Sequence, residues 1–156
     1  MINFLFNKLI YRKLVREKQN ANIFGFHDEK YINEIVKTKK NEYVLISYPS
    51  DLSAGLLTIY LLSFVNGKRH HAHMYIHFTT DTMFIADIAV LDKSAFNRGY
   101  GSLLIEKALD IARIKGVSFV TGKMAFSSPE QKQRQIHYYS KYGFQIDENY
   151  KLKLVL

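Results

Sequence analysis

The run Arg98-Gly99-Tyr100-Gly101-Ser102 puts two glycines where a short apolar stretch gives way to a helical pattern. Glycine lets backbone come close to a ligand, and the first-turn N–H groups of a helix lack intrahelical acceptors, so a turn of this kind can hold an anion. The helix dipole adds roughly 0.3–1 kcal/mol for an exposed charge. A phosphate suits that chemistry. Tight strand-to-helix packing would explain the same glycines without a ligand, and the spacing alone leaves both readings open. His70, His71, His73 and His77 form a second conspicuous group. Strand alternation puts His71, His73, Tyr75 and His77 on one face. No carboxylate falls among them and side chains two apart on a strand diverge from a tetrahedral centre, so a solvated or substrate-facing surface is expected rather than a metal site. The chain has no cysteine, which removes disulfides, thiolate metal ligation and an acyl-cysteine intermediate.

These residues need elements to hold them. Ile85 to Leu91, apolar except for Asp87, reads as a strand buried on both faces. After the glycine turn, Leu104, Ile105, Ala108, Leu109 and Ala112 recur at helical spacing with Glu106, Lys107, Asp110 and Arg113 opposite, and Gly116 closes the helix. Leu56–Val65, Arg69–Phe78 and Thr82–Leu91 predict an antiparallel meander whose first turn is Asn66-Gly67. Further upstream the spacing predicts a strand near Asn22–Phe26, a helix near Asp28–Thr38 with Ile32, Ile35 and Val36 inward, and a strand at Tyr43–Tyr48. Downstream, Val117–Met124 reads as a strand parallel to Ile85–Leu91. Ser128-Pro129-Glu130-Gln131 reads as a capped helix start with the glutamine reaching back, and Gly143 as that helix's end. Phe144–Ile146 and Tyr150–Leu156 form the expected closing hairpin.

Two stretches carry a resemblance to a known family. Ala89-Val90, then Phe96-Asn97-Arg98-Gly99-Tyr100-Gly101, then Leu103-Leu104 resembles the acetyl-coenzyme A signature of the GNAT superfamily of N-acetyltransferases. Ile136-His137-Tyr138-Tyr139-Ser140-Lys141-Tyr142-Gly143-Phe144 resembles its second signature, aromatic-Tyr-x-Lys-x-Gly-Phe, in the right order. Phe96 replaces the usual glutamine or arginine, the loop from Val90 to Gly99 is one residue longer than the common form, and Lys132 takes the place of an upstream asparagine. The resemblance implies a mixed α/β fold, a twisted and largely antiparallel sheet with helices on both faces. Its parallel pair, Ile85–Leu91 and Val117–Met124, would splay to form the coenzyme A cleft. It also implies acetyl-coenzyme A as cosubstrate, with the pantetheine arm and thioester carbonyl met by backbone at Ala89 and Val90 and the pyrophosphate by Arg98, Gly99, Tyr100, Gly101 and Ser102. Tyr139 is then the proton donor to the departing thiolate. Asp87 becomes the candidate base, directly or through water, because burial in an apolar strand favours the protonated form of a carboxylate and this one falls near the cleft. A hydrogen-bonded structural carboxylate is the competing reading. His137, two residues from Tyr139, is expected to point elsewhere, and Ser140 has no evident base. The implied reaction is attack of a primary amine, on a small molecule or a peptide, in a ternary complex. The alternative is a non-catalytic acyl-coenzyme A-binding regulatory or interaction protein.

Composition bounds the rest. The 156 residues fit one domain, 21–156, preceded by a helical extension, 1–20. A hydrophobic fraction of 47% with 11 Tyr and 11 Phe argues against disorder. Against 14 acidic residues stand 22 basic ones, a net charge of +8 that calls for an anionic partner: coenzyme A, nucleic acid or an acidic membrane. No nucleic-acid-binding pattern accompanies the charge and the basic residues are scattered, which disfavours nucleic acid. In the extension, Ile2, Leu5, Phe6, Leu9 and Ile10 share a helical face until Lys13 and Arg16 land on it. A helix packed on the domain, or on a second copy in a homodimer, is favoured there over a basic membrane-surface helix. Asn3, Asn7 and Lys8 break the apolar region of a signal peptide, and no run reaches the ~18 apolar residues of a membrane span, so a cytoplasmic location is expected.

Overall fold

The computed structural model describes residues 2–20, 30–90 and 93–156. Eight strands run along the chain: β1 (Tyr31–Lys37), β2 (Tyr43–Pro49), β3 (Leu56–Val65), β4 (Lys68–Phe78), β5 (Thr82–Val90), β6 (Phe119–Lys123), β7 (Gln145–Ile146) and β8 (Lys151–Val155). They form one sheet in the order β1-β2-β3-β4-β5-β6-β8-β7. Neighbours are antiparallel except β5 and β6, which are parallel because helix α2 (Tyr100–Lys115) crosses over between them. The β3–β4 turn is the Asn66-Gly67 hairpin, with both residues at positive φ, 51° and 76°.

Strand alternation divides the sheet into two faces. On one, Ile46, Ile59, Met74, Met83, Ile85 and Val120 are buried in a single core with Leu104, Ile105 and Ala108 of α2 and with Tyr139 of helix α3 (Pro129–Lys141). On the other, helix α1 (Ile2–Gln19) covers the β1–β3 end, with Ile10 and Leu14 packed on Leu45 and Leu62. The helix is amphipathic in a different sense from the expected stripe. Leu5 and Leu9 face outward, 62% and 52% exposed, while Leu14 is fully buried. Lys13 and Glu17 belong to the packed side, the ammonium of Lys13 lying over the Phe64 ring and Glu17 pairing with Arg69, so long side chains cover sheet surface there.

The helix expected near Asp28–Thr38 is instead strand β1, paired with β2 at seven successive positions from Tyr31↔Pro49 to Lys37↔Tyr43. Ile32, Ile35 and Val36 fit helical spacing, but β-branched residues fit a pleated surface as well, and the adjacent strand decides. Tyr48 Oη donates to Glu34 and Ser47 Oγ to Asn33 across that pair. The strand expected near Asn22–Phe26 lies outside the described residues. Gly116, at φ 70°, closes α2 as expected, its N–H reaching Arg113 O. Ser128 caps α3 by accepting from Gln131 N–H; the Gln131 side chain reaches back one residue further than a capping box requires, accepting from Ser127 N–H and Oγ.

The positioning feature is the β5–β6 pair. Its ladder runs only from Thr82↔Phe119 to Ile85↔Gly122. Beyond it β5 continues to Val90 with β4 as its neighbour, so among the described residues the β6 side of Asp87 to Val90 is an open edge.

Candidate functional site

The site is built on that open edge and on the turn that follows it. Gly99 sits at φ 87°, a left-handed conformation that L side chains rarely adopt, and no side chain caps the helix it begins. The first intrahelical bond is Leu103 N–H to Gly99 O, so the N–H groups of Tyr100, Gly101 and Ser102 precede the ladder; the first turn carries no acidic residue. Gly99, Tyr100, Gly101 and Ser102 line a cavity of about 350 Å³ that extends to Ile88, Val90 and Tyr139. An anion at one end and an apolar chain along the other fit it, which is the donor set that a nucleotide pyrophosphate with a pantetheine arm requires.

A hairpin props the turn. Thr38, nearly fully buried between β1 and β2, accepts from the N–H groups of Lys40 and Glu42, and its Cβ would lie 3.5 Å from any Cβ at Gly99. Glu42 then reaches the turn directly. Arg98 Nη1 donates to Glu42 Oε1 at 2.7 Å and its Nε to Ser94 O at 3.0 Å, while Tyr100 Oη donates to Glu42 Oε2 at 3.3 Å. The Arg98 guanidinium thus holds the turn to the hairpin, and Arg98, expected among the cofactor-binding residues, does not line the cavity.

The cations in reach of the cavity come from α3 instead, and sequence reasoning missed them. Arg134 lines it with its guanidinium 5.2 Å from the centre of the Phe96 ring, and Lys141 lines it with Nζ 3.4 Å from Ser102 Oγ. Phe96, where a glutamine or arginine was expected, becomes the shelf on which an arginine from another element rests. Lys132, in place of the expected asparagine, turns away and donates to Tyr150 Oη at 2.7 Å. His137 lines the cavity after all, together with Tyr139.

Adjacent tyrosines on α3 are put to different uses. Tyr138 Oη donates to Gly101 O at 2.6 Å, which ties α3 to the start of α2. Tyr139 is 5% exposed, between the rings of Tyr138 and Phe144, and among the described residues no protein acceptor takes its hydroxyl. Burial, and then the negative charge of Asp87, push the Tyr139 phenol up to about 12, so it is protonated throughout the physiological range.

Asp87 itself is not the buried carboxylate that its apolar neighbours predicted. Its side chain is 57% exposed. The reason is a bulge: Tyr75 pairs with Asp87 but Ile76 with Ile85, so Ala86 is an extra residue and the alternation beyond it is reversed, with Ile88 and Val90 toward the core and Asp87 away from it. Asp87 and Ala89 then share the sheet face of Tyr75 and His73, while Ile88 and Val90 turn to the cavity. His73 Nε2 lies 3.5 Å from Asp87 Oδ2, with the imidazole mostly buried. Alternation placed His71, His73, Tyr75 and His77 on one face correctly, but the carboxylate that meets His73 comes from the next strand, which spacing within one strand cannot reveal.

Over residues 15–144 the chain matches the family described as the Acetyltransferase (GNAT) family. The chain belongs to that family. It is an acyltransferase whose general activity is acyl-coenzyme A-dependent acetyl transfer. No curated protein matches it. Solved structures share the fold at low identity. A variant of the cAMP-binding acyltransferase from Mycobacterium smegmatis has a TM-score of 0.59 at 9% identity, covering 96% of this chain and 52% of that one. The GNAT domain of S. lividans PAT has 0.57 at 12%, covering 80% and 97%, and nourseothricin acetyltransferase has 0.51 at 14%, covering 82% and 84%. The eight-stranded, mostly antiparallel sheet with one parallel pair is the expected GNAT architecture, and acetyl-coenzyme A is the cosubstrate that goes with it. Among the described residues no group of three metal-ligating side chains comes together, and no helix is long and apolar enough to cross a membrane.

Proposed function

We propose that this GNAT acetyltransferase moves an acetyl group from acetyl-coenzyme A to a primary amine by direct attack, with both substrates bound together. The observation that carries the reading is the placement of a protonated phenol and a carboxylate–imidazole pair about one open strand edge. Tyr139 lines the cavity on the side of Ile88 and Val90, whereas Asp87 and His73 belong to the reverse face of the same residues of β5. Backbone at Ala89 and Val90 takes the thioester carbonyl and the negative charge that develops on its oxygen. The N–H groups from Gly99 to Ser102, with Arg134 and Lys141, take the pyrophosphate. Arg98 acts through its hold on Glu42, which keeps the turn in shape.

In the transfer step the amine nitrogen forms a bond to the acetyl carbon and the carbon–sulfur bond breaks. The departing sulfur takes the proton of Tyr139, which is available because the phenol is neutral, and the second proton that the nitrogen sheds as it becomes an amide restores the phenol. The ammonium proton lost before attack goes to the Asp87–His73 pair, directly or through water. That retains Asp87 in the base role through its exposed position and its partner, where the sequence argued for it from burial. The first prediction follows from the acid. Replacing Tyr139 with Phe removes the proton and leaves the ring, so turnover in a thiol-release assay should fall about 10²–10⁴-fold while the calorimetric Kd for acetyl-coenzyme A stays within a few-fold. Unchanged turnover in Tyr139→Phe, or thiol release from no amine at all, would favour the non-catalytic acyl-coenzyme A-binding reading.

A further inference from the structure

The reverse face of the sheet holds a second hollow, of about 700 Å³, beside the place where β5 and β6 part. Its walls include Phe84, Thr121, Lys123, Lys151 and Lys153. Register puts these on the face of Asp87 and His73: Phe84 opposite His77 and Thr121, Thr121 opposite Lys153, and Lys123 opposite Lys151. Two lysines thus stand directly across from each other on antiparallel strands, where Cβ atoms are about 4.5–5.5 Å apart and like charges repel. Among the described residues none of the three lysines meets a carboxylate at ion-pair distance; Asp147, also at the hollow, spends its Oδ1 on the N–H groups of Asn149 and Lys151. Such a pair costs stability unless an anion joins it. Lys123 follows Gly122, whose partner on β5 is Ile85, so it lies level with the Ala86 bulge one strand over, and Lys151, two strands over, is roughly 10 Å from the stretch of β5 that carries the proposed base.

We propose that this hollow is the acceptor's anchor: the amine acceptor carries a carboxylate or phosphate roughly 10 Å from its nitrogen, bound by Lys123, Lys151 and Lys153 while the amine sits at Asp87 and His73. The inference rests on the acetyl-transfer reading and narrows its acceptor to an anionic class of amine. Opposite charges at the two ends of the site also fix the direction of binding, since an ammonium is drawn to Asp87 and repelled by the lysines. The cofactor's phosphates do not compete, because their cavity lies on the other face.

The test compares two acceptors of equal length, 8-aminooctanoate and 1,8-diaminooctane, by thiol release from acetyl-coenzyme A, with cofactor binding by calorimetry as the control for folding. The wild-type protein should prefer the carboxylate by about tenfold or more in kcat/KM, expressed in KM and weakening as salt is raised. The double variant Lys123→Glu, Lys151→Glu should reverse the order toward the diamine while acetyl-coenzyme A still binds. Equal use of the two amines by the wild type, or a preference that survives the charge reversal, overturns this inference alone. Cofactor binding with no turnover of either amine, or of any other amine, overturns the enzyme reading and this inference with it.

Discussion

Tyr139, the proposed acid, can serve only while it keeps its proton, and it keeps it for two reasons that act in the same direction. Its ring is buried, and the carboxylate of Asp87 lies close enough to oppose a phenolate. With the pKa pushed up to about 12, wild-type kcat should show no alkaline decline up to about pH 10, where an ordinary tyrosine begins to ionise. A descending limb centred near about pH 8 would assign the acid to another group. The same shift has a stability counterpart. A group whose folded pKa is raised contributes stability that is present below the unfolded value and is lost as pH rises through the folded one, so this contribution disappears between about pH 10 and 12. Tyr139 was legible in the sequence because it stands in a run with a fixed spacing to Gly143 and Phe144. Asp87 was legible as a residue and misread as an environment, since the Ala86 bulge that turns it outward leaves no mark in a chain of apolar side chains. His73 was visible only as one of several histidines, and its partner is set by strand register rather than by spacing.

Elements that hold no reacting group determine how well the turn is formed. The β1–β2 hairpin grips it through Thr38 and Glu42, and α3 grips it through Tyr138 and brings Arg134 to the cavity. Arg134→Gln should raise the Kd for acetyl-coenzyme A by roughly tenfold in calorimetry and leave saturated turnover nearly unchanged, as expected for a phosphate contact made equally in the ground and transition states. A fall in kcat with unchanged Kd would place Arg134 elsewhere in the mechanism. Helix α1 supports the sheet rather than the site. Leu14, fully buried against Leu45 and Leu62, should cost about 2–5 kcal/mol when cut to Ala in urea unfolding, with cofactor affinity retained. The glycine turn, both long helices and the hairpins carried local signals: caps, Asn-Gly and helical periodicity. Strand β1 did not, because three β-branched residues fit either period and only the neighbouring strand chooses. The packed side of α1 was misassigned for a related reason, as Lys13 and Glu17 look like solvent residues until the sheet offers Phe64 and Arg69.

At the scale of the whole molecule, the net charge is +8 and cations stand at both hollows of the sheet, Arg134 and Lys141 at the glycine turn and Lys123, Lys151 and Lys153 on the reverse face. Composition announced an anionic partner, and in the proposed reading one face of the sheet takes the cosubstrate and the other the acceptor. In that reading the two meet at the opening between β5 and β6. All of this depends on acetyl-coenzyme A lying with its pyrophosphate on the Gly99–Ser102 turn. Calorimetric titration of acetyl-coenzyme A against S-acetylpantetheine, which has the same thioester and arm but no pyrophosphate, examines that placement most directly. The expected result is saturable binding of acetyl-coenzyme A, tighter than the truncated thioester by two orders of magnitude or more and progressively less so as salt rises, since about 3 kcal/mol of anion binding is assigned to the turn and its two cations. No binding of acetyl-coenzyme A at millimolar concentration, or equal affinity for the two thioesters, would contradict the account.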